Sequence, residues 1–464
     1  MPQHFDAVVI GTGQGGAPLA VRLGASGRKT AVVERAAFGG TCVNVGCTPT
    51  KTYVASARAA HVARRAADYG VLVDGPVGVD MAQVKARKDR VIGQSRAGVE
   101  TWLRGAANVT VFTGHASFTG AHAVRIAAHD GAQHDLEANE IFVNTGTRAL
   151  VPSIEGVERI RYHTNSTLLE LTELPAHLAI VGGSYVALEF AQMFRRFGSR
   201  VTVIVRGERV LAREDEDLAN EVQTILAREG VEFRFGVEPS RVEPLDANGE
   251  GVRIFGANAA PIDASHLLFA TGRVPNTDDL GLDRAGVEVD QHGIVRVDGQ
   301  LRTNVPGIWA LGDINGRGAF THTSYDDFEI VAANLLDGGA RSADARIMAY
   351  AVYVDPPLAR AGMSEKDVRR DGRDALIATL PMSRVGRARE RGETDGFMKV
   401  LVDAKSGKIL GAAILGIEGD EAIHTFIDIM TADAAYTTLQ RAMHIHPTVS
   451  ELVPTLLGGL EPLV

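Results

Sequence analysis

Cysteine is almost missing: Cys42 and Cys47 are the only two in 464 residues. That scarcity excludes a disulfide-stapled scaffold and fits a reducing compartment, so a cytoplasmic location is expected. Positive charge is not in excess. The 48 Lys and Arg stand against 57 Asp and Glu, net −9, which argues against a nucleic-acid binder. No apolar run approaches the roughly 18 residues of a transmembrane helix. The opening Met1-Pro-Gln-His-Phe-Asp6 lacks the basic and apolar regions of a signal peptide. No low-complexity linker interrupts the chain, so its domains are expected to pack closely, the first interrupted by the second.

What is present describes an ordinary globular chain, 45% hydrophobic and 23% charged, long enough for about two to four domains. Its 51 glycines suit tight turns and phosphate loops. Both cysteines fall in one glycine-flanked segment, Gly39-Gly-Thr-Cys-Val-Asn-Val-Gly-Cys-Thr-Pro-Thr-Lys51. Two nearby thiols can cycle between dithiol and disulfide, a two-electron step. The C-x4-C spacing is neither a usual zinc nor a thioredoxin spacing, and two isolated buried cysteines would be the plain alternative. A nucleotide-binding fingerprint just upstream favours the redox pair.

The pattern along the chain is a duplicated βαβ grammar. Residues 7–10 read as a strand, Gly11-Thr-Gly-Gln-Gly-Gly16 as a turn, the following residues to Leu23 as a helix and 29–34 as a second strand. Residues 53–104 read as long helices and 108–146 as short strands. A second unit begins with a strand over 178–181, a turn over 182–187, a helix over 188–197 and a strand over 200–205. Ile141-Phe-Val-Asn-Thr-Gly146 and Leu267-Leu-Phe-Ala-Thr-Gly272 share a strand-then-Thr-Gly ending. After about residue 340 the pattern changes to separated strands and helices.

In the first fingerprint Gly11, Gly13 and Gly16 allow a tight turn, close approach of a pyrophosphate and close helix packing. The helix N-terminus offers free N–H groups to phosphate. Glu34 is placed to accept ribose hydroxyls. The second fingerprint keeps Gly182 and Ala187 but has Ser184 at the middle position. Val205 stands where a ribose-binding acid is usual, followed by Arg206, with Arg209 and Arg213 nearby. Guanidinium suits a 2′-phosphate, so NADPH is the expected cofactor, while Glu208 keeps NADH open. A solvated surface role is the alternative for each arginine.

Taken in order, the cysteine segment, Ala270-Thr-Gly-Arg-Val-Pro-Asn-Thr277, Val305-Pro-Gly-Ile-Trp-Ala-Leu-Gly-Asp313 and His446-Pro-Thr-Val-Ser-Glu451 resemble the pyridine nucleotide-disulfide oxidoreductase family over nearly the whole chain. That family includes glutathione reductase, dihydrolipoamide dehydrogenase and mercuric reductase. The resemblance implies an α/β fold of two Rossmann-like dinucleotide-binding domains and an α+β C-terminal dimerisation domain. The expected boundaries are 1–150 with 274–340 for FAD, 151–273 for NAD(P)H and 341–464 for the interface. It implies a homodimer with one FAD per subunit, the nicotinamide on the opposite flavin face, and an active site shared across the interface.

By the same resemblance, the first fingerprint binds FAD with Asp313 near its ribityl-pyrophosphate region, and Thr41, Thr145, Gly146, Gly272, Arg273 and Gly312 are further cofactor-binding positions. Lys51 is expected beside the flavin, paired with Glu189, where an ammonium favours negative charge on the reduced ring. Tyr185 resembles the tyrosine that covers the flavin until nicotinamide displaces it. Cys47 matches the flavin-proximal sulfur and Cys42 the interchange sulfur that attacks substrate as thiolate. His446 and Glu451, from the other subunit, match the base and its orienting acid. His444 has the weaker claim, with a structural role expected.

The implied function is an FAD-dependent NAD(P)H:disulfide oxidoreductase acting on a small disulfide. Thr48-Pro-Thr50 and Ser184 are similar to the mercuric-reductase-like branch. Phe320-Thr-His-Thr-Ser-Tyr-Asp-Asp-Phe328 resembles a branch associated with reactive-chlorine resistance and metal-ion reduction. A dedicated mercuric reductase carries a second, C-terminal cysteine pair for soft Hg(II), and this sequence ends Gly-Gly-Leu-Glu-Pro-Leu-Val. No resident metal site is expected. The alternatives are a metal-ion or quinone reductase using the same pair, dihydrolipoamide dehydrogenase, which Val205-Arg206 disfavours, and a non-catalytic flavoprotein subunit of a larger complex.

Overall fold

The computed structural model describes residues 1–246, 251–257 and 259–463. The first strand, Gln3–Ile10, runs between Thr30–Glu34 and Gln133–Val143, parallel to both. Phe5, Ala7, Val8, Val9 and Ile10 are all buried, because a parallel strand covered on both faces has no solvent side to alternate toward. Ile308–Ala310 then pairs in parallel with Gln133–Val143, so the sheet that opens the chain is completed by a strand lying beyond the whole second unit.

Residues 108–146 depart from the expected short strands. They form Val109–Gly120, Ala123–Ala128 and Gln133–Val143, of 12, 6 and 11 residues. The first of the long strands serves two pairings in turn, and Gln133–Val143 serves three, with Gln3–Ile10, Ala123–Ala128 and Ile308–Ala310. Residues 109–113 lie parallel to Thr30–Glu34, and residues 114–120 turn antiparallel to Ala123–Ala128. Gly114 sits at that change, where a Cβ would stand 2.4 Å from the Ala127 carbonyl oxygen. A glycine that marks a close backbone approach inside a strand reads, in sequence alone, as a break.

The helical stretch contains Cys47–Arg64 and Met81–Gly105, separated by a short turn and an extended segment containing Gly75 and Pro76. Asp80 caps the longer helix by accepting the Gln83 N–H at 3.0 Å. In the second unit four parallel strands run in the order His266–Phe269, His177–Val181, Arg200–Val205, Val231–Phe235. Its helix, Tyr185–Phe197, begins three residues before the expected position, because Ser184 is already extended and acts as the N-cap residue. A third sheet, of six antiparallel-paired strands between residues 349 and 462, closes the chain.

One packing contact positions the site. Helix Cys47–Arg64 lies against helix Tyr185–Phe197, with Tyr53 edge-on to Phe197 at 5.9 Å between ring centroids. Phe190, Phe194 and Phe197 are buried in the same cluster, each contributing about 1.5–3 kcal/mol by removal from water. The cysteine segment is thereby fixed to the second nucleotide-binding unit. A buried ionic cluster does the same for the third sheet: Arg360 reaches Glu214 and Asp215, each at 2.8 Å. No helix among the described residues is long and apolar enough to cross a membrane.

Candidate active site

A cleft of about 750 Å³ runs from the first glycine turn to the cysteine segment. Its phosphate end is built by exclusion of side chains. Gly11 has φ +102, and a Cβ there would lie 2.3 Å from the Asn144 carbonyl oxygen; one on Gly16 would lie 2.2 Å from the Gly11 oxygen. A Cβ on Gly40 would meet the Cα of Gly13 at 2.9 Å. Glu34 is anchored by Thr12, whose N–H and Oγ1 donate to Oε2 at 3.1 and 2.5 Å, while the Ala36 N–H donates to Oε1 at 2.8 Å. A bare glycine cradle beside an oriented carboxylate fits the pyrophosphate and ribose of a dinucleotide.

Asn144, absent from the sequence-derived set, holds this end together. Its Oδ1 accepts the Gly16 N–H at 2.9 Å, and its Nδ2 donates to the Leu311 carbonyl at 2.8 Å. The only sequence signal was its place at the end of the strand preceding Thr145-Gly146. Thr145 and Gly146 line the cleft with Thr41 and Asp313. Asp313 Oδ2 accepts from Thr147 Oγ1 at 2.8 Å, and Arg273 donates to that same hydroxyl at 2.6 Å. Arg273 also lines the cleft, its Nε 3.8 Å from Asp313 Oδ2. Gly312 lies behind the wall, its N–H on Asp327 at 2.8 Å.

At the other end stand the thiols. Both are free, Cys47 exposed to the cleft and Cys42 half-buried. A hydrogen bond from Cys42 pulls Cys47 down to about 6, helped by the Thr321 hydroxyl and the Lys51 charge. The same contact with Cys47, with burial, pushes the Cys42 thiol up. Thr321 Oγ1 lies 3.2 Å from Cys47 Sγ, a contact the sequence did not single out. Lys51 Nζ donates to Glu189 Oε2 at 2.7 Å, and the Glu189 side chain is only 3% exposed. Tyr185 lines the same cleft, its ring 5.9 Å from that of Phe320, and burial pushes its phenol up.

The second fingerprint repeats the first turn's geometry. Gly182 has φ +137, and a Cβ there would lie 2.2 Å from the Ala270 carbonyl oxygen, as at Gly11 and Asn144. Gly182, Ser184 and Gly272 lie outside the 750 Å³ cleft, on the face of the second sheet's own turn. Arg206 is 81% exposed and 3.5 Å from Glu238; Arg209 is 3.5 Å from Glu216. The exposed pair at Arg206 holds its guanidinium weakly, whereas the Arg209 side chain is only 28% exposed.

His446 and Glu451 are not brought to the cysteines of their own chain, and neither lines the cleft. They are paired with each other: His446 Nδ1 is 2.7 Å from Glu451 Oε2, with the imidazole 81% exposed. A carboxylate on Nδ1 leaves Nε2 directed outward as the basic nitrogen. Next to them Met443 and Ile445 are exposed at 97% and 78%. His444 Nδ1 pairs with the Ser450 carbonyl at 2.7 Å. Among the described residues no group of three or more His, Cys, Asp or Glu is placed to hold a metal ion.

Comparison with known proteins follows the same division. The profile described as pyridine nucleotide-disulphide oxidoreductase matches residues 5–327, and that of its dimerisation domain matches 348–457. A probable pyridine nucleotide-disulfide oxidoreductase RclA of Escherichia coli is 37% identical over 98% of this chain and 99% of its own. A mercuric reductase of Streptomyces lividans is 34% identical over 96% and 94%. The solved structure of the HOCl-induced flavoprotein disulfide reductase RclA from Escherichia coli superposes with a TM-score of 0.89 at 35% identity, covering 98% of this chain and 99% of that one. Its Cu(II) complex gives 0.88 at 35% identity, over 97% and 99%.

Proposed function

Since the chain belongs to the pyridine nucleotide-disulphide oxidoreductase family and is an FAD-dependent NAD(P)H:disulfide oxidoreductase, we propose how its own residues divide the work. Gly11, Gly13 and Gly16 take the FAD pyrophosphate, with Thr41, Thr145, Gly146 and Gly312 shaping the same site. Glu34 takes the adenosine ribose and Asp313 the ribityl side. Bound FAD supplies the two-electron link between nicotinamide and thiols. Gly182, Ser184 and Gly272 form the nicotinamide nucleotide's turn, Arg206 binds a 2′-phosphate, and Tyr185 covers the nicotinamide pocket. The boundaries 1–150 with 274–340, 151–273 and 341–464 divide these tasks.

The observation that carries the thiol assignment is placement: both sulfurs lie at the cleft, Cys47 exposed with Thr321 Oγ1 3.2 Å from it and Cys42 half-buried. The hydrogen bond from Cys42, with Thr321 and Lys51, favours the thiolate at Cys47, while that same bond and burial favour the protonated Cys42, which then needs a base. His446 of a second copy, oriented by Glu451, takes that proton. Cys42 then attacks a disulfide RS–SR: a Cys42–SR bond forms, the S–S bond breaks, and the departing RS⁻ takes the proton from the imidazole. Cys47 attacks the Cys42 sulfur, closing the Cys42–Cys47 disulfide and releasing the second thiolate. One disulfide is reduced and the dithiol oxidised, two electrons in each case. The matched disulfide reductase does not favour the metal-ion, quinone, dihydrolipoamide or non-catalytic readings.

The test is anaerobic NADPH titration of the purified dimer, followed by a panel of disulfides, lipoamide, Cu(II), Hg(II) and quinones. Re-oxidation by a small disulfide with stoichiometric thiol release is the expected result. Re-oxidation by quinones or metal ions alone would sink it.

A further inference from the structure

Lys51 and Glu189 come from two different helices and are held by a third element. Tyr353 follows the strand Ala349–Val352 of the third sheet. Its ring face lies 4.6 Å from the Lys51 ammonium, and its backbone N–H donates to Glu189 Oε1 at 2.8 Å. Glu189 is a buried carboxylate, and its two oxygens are divided between Lys51 and Tyr353. Leaving either oxygen unmet in so dry a place is costly. Lys51 is a flexible chain whose ammonium stays where it is only as long as its partners fix it. Its partners are the Glu189 carboxylate and the Tyr353 face.

The same three elements meet again two helical turns on. Arg58 lies seven residues after Lys51, and Arg196 seven after Glu189, so each shares its helix face with the first residue. Both guanidiniums reach the carboxylate of Asp355, two residues after Tyr353. Gln192, on the Glu189 helix, brackets the Asp355 backbone, accepting its N–H and donating to its carbonyl, each at 2.7 Å. The segment from Tyr353 to Asp355 is thus fastened to both helices at two rungs, and Tyr353 has little freedom to move away from Lys51.

We infer that Tyr353 is a positioning residue for this reaction: its ring fixes the Lys51 ammonium and its backbone fixes the Glu189 carboxylate, so the third sheet sets the geometry of a pair it does not itself supply. Substitution of the side chain removes only the first of these, since any residue keeps the backbone N–H. Lys51 in turn acts on the thiols, its charge favouring the thiolate of both. The phenols of Tyr185 and Tyr353 also face Cys47, and burial favours their neutral form; the groups that shift the thiol are Cys42, Thr321, Lys51 and Glu189. Of these only Lys51 depends on the ring.

The inference rests on reading Lys51 and Glu189 as the reaction-centre pair, and the experiment separates the two. The readout is the pH midpoint at which the two-electron-reduced holoenzyme loses the long-wavelength absorbance of a thiolate beside flavin. Tyr353→Leu is expected to move that midpoint upward, a loss of about two- to fivefold in thiol acidity, the worth of one cation–π contact. Tyr353→Phe keeps the ring and leaves the midpoint in place. In a Lys51→Met background Tyr353→Leu adds nothing. Tyr353→Met replaces the leucine variant if that one does not retain flavin. An equal shift in Tyr353→Phe, or an undiminished shift in the Lys51→Met background, overturns the inference. So does an unmoved midpoint in Tyr353→Leu when Lys51→Met does move it. If Lys51→Met itself leaves the midpoint unmoved, the reading of the pair fails and the role of Tyr353 falls with it.

Discussion

The hydroxyl of Thr321 lies 3.2 Å from the sulfur of Cys47, across 274 residues of sequence. With the hydrogen bond from Cys42 as the larger cause, this contact helps hold the Cys47 thiol near about 6. A thiol lowered in this way is ionised above its pKa and protonated below it. The thiolate absorbance of the reduced holoenzyme should therefore persist at pH 8 and fade as pH drops through about 6. Cys47→Ser should abolish it, and Cys42→Ser should leave a thiolate beside oxidised flavin. Thr321→Val should move the midpoint up and Thr321→Ser should not. Retention of the band in both cysteine variants would reverse the assignment of the two sulfurs.

Among the described residues Arg206 has a long, exposed contact to Glu238 and is 81% exposed. Arg206→Glu should move cofactor preference from NADPH toward NADH. A charge-assisted hydrogen bond to phosphate, about 1.5–3 kcal/mol, corresponds to about ten- to a hundredfold in the ratio of kcat/KM values. An unchanged ratio would remove the 2′-phosphate role.

His446→Ala should leave flavin reduction by NADPH nearly intact and slow disulfide reduction by about 10²–10⁴-fold. Glu451→Gln should cost less, since it orients Nδ1 and moves no proton. Because His446 does not reach its own chain's cleft, mixed dimers of His446→Ala and Cys42→Ser subunits should recover one intact site. Stopped-flow measurement of each half-reaction, with the mixed dimer as the third sample, decides this. A mixed dimer with no activity would place the base within one subunit.

Gly11→Ala should cost about 1–3 kcal/mol and most of the bound flavin, since it adds both a strained φ and a 2.3 Å approach to Asn144. Gly98 offers the contrast. It sits inside the helix Met81–Gly105 with nothing within 4 Å of a built Cβ, and Gly98→Ala should stabilise by about 0.4–1 kcal/mol. Thermal unfolding and flavin stoichiometry of the two variants should move in opposite directions.

The sequence made the turns and the chemistry-bearing side chains legible, because both depend on residue type at short spacing. The Gly11 and Gly182 turns and the start of each βαβ unit lie within a residue or a few of their expected places. Lys51 and Glu189 were paired through family resemblance, which spacing alone would not have done. What stayed hidden were residues whose role comes from a distant partner. Asn144, Thr321 and Tyr353 are ordinary types at ordinary positions, and only the packing of strands and helices 128 to 274 residues apart gives them a task. The strand lengths over 109–143 were hidden for a related reason. A glycine required where one strand changes partners looks the same as one that ends a strand.

The bond from Asn144 to Leu311 spans 167 residues. On a ribosome adding about 5–20 residues per second, that interval lasts on the order of ten to thirty seconds. During it the nascent chain holds Gln3–Ile10 and Gln133–Val143 without Ile308–Ala310, which pairs with the latter. The intervening sheet, whose four parallel strands all fall between residues 177 and 269, has all of its strand partners sooner. Order of synthesis and order of pairing are therefore inverted: the second unit's sheet has all its strands first, and the sheet that carries the Gly11 cradle gains its last strand only after it.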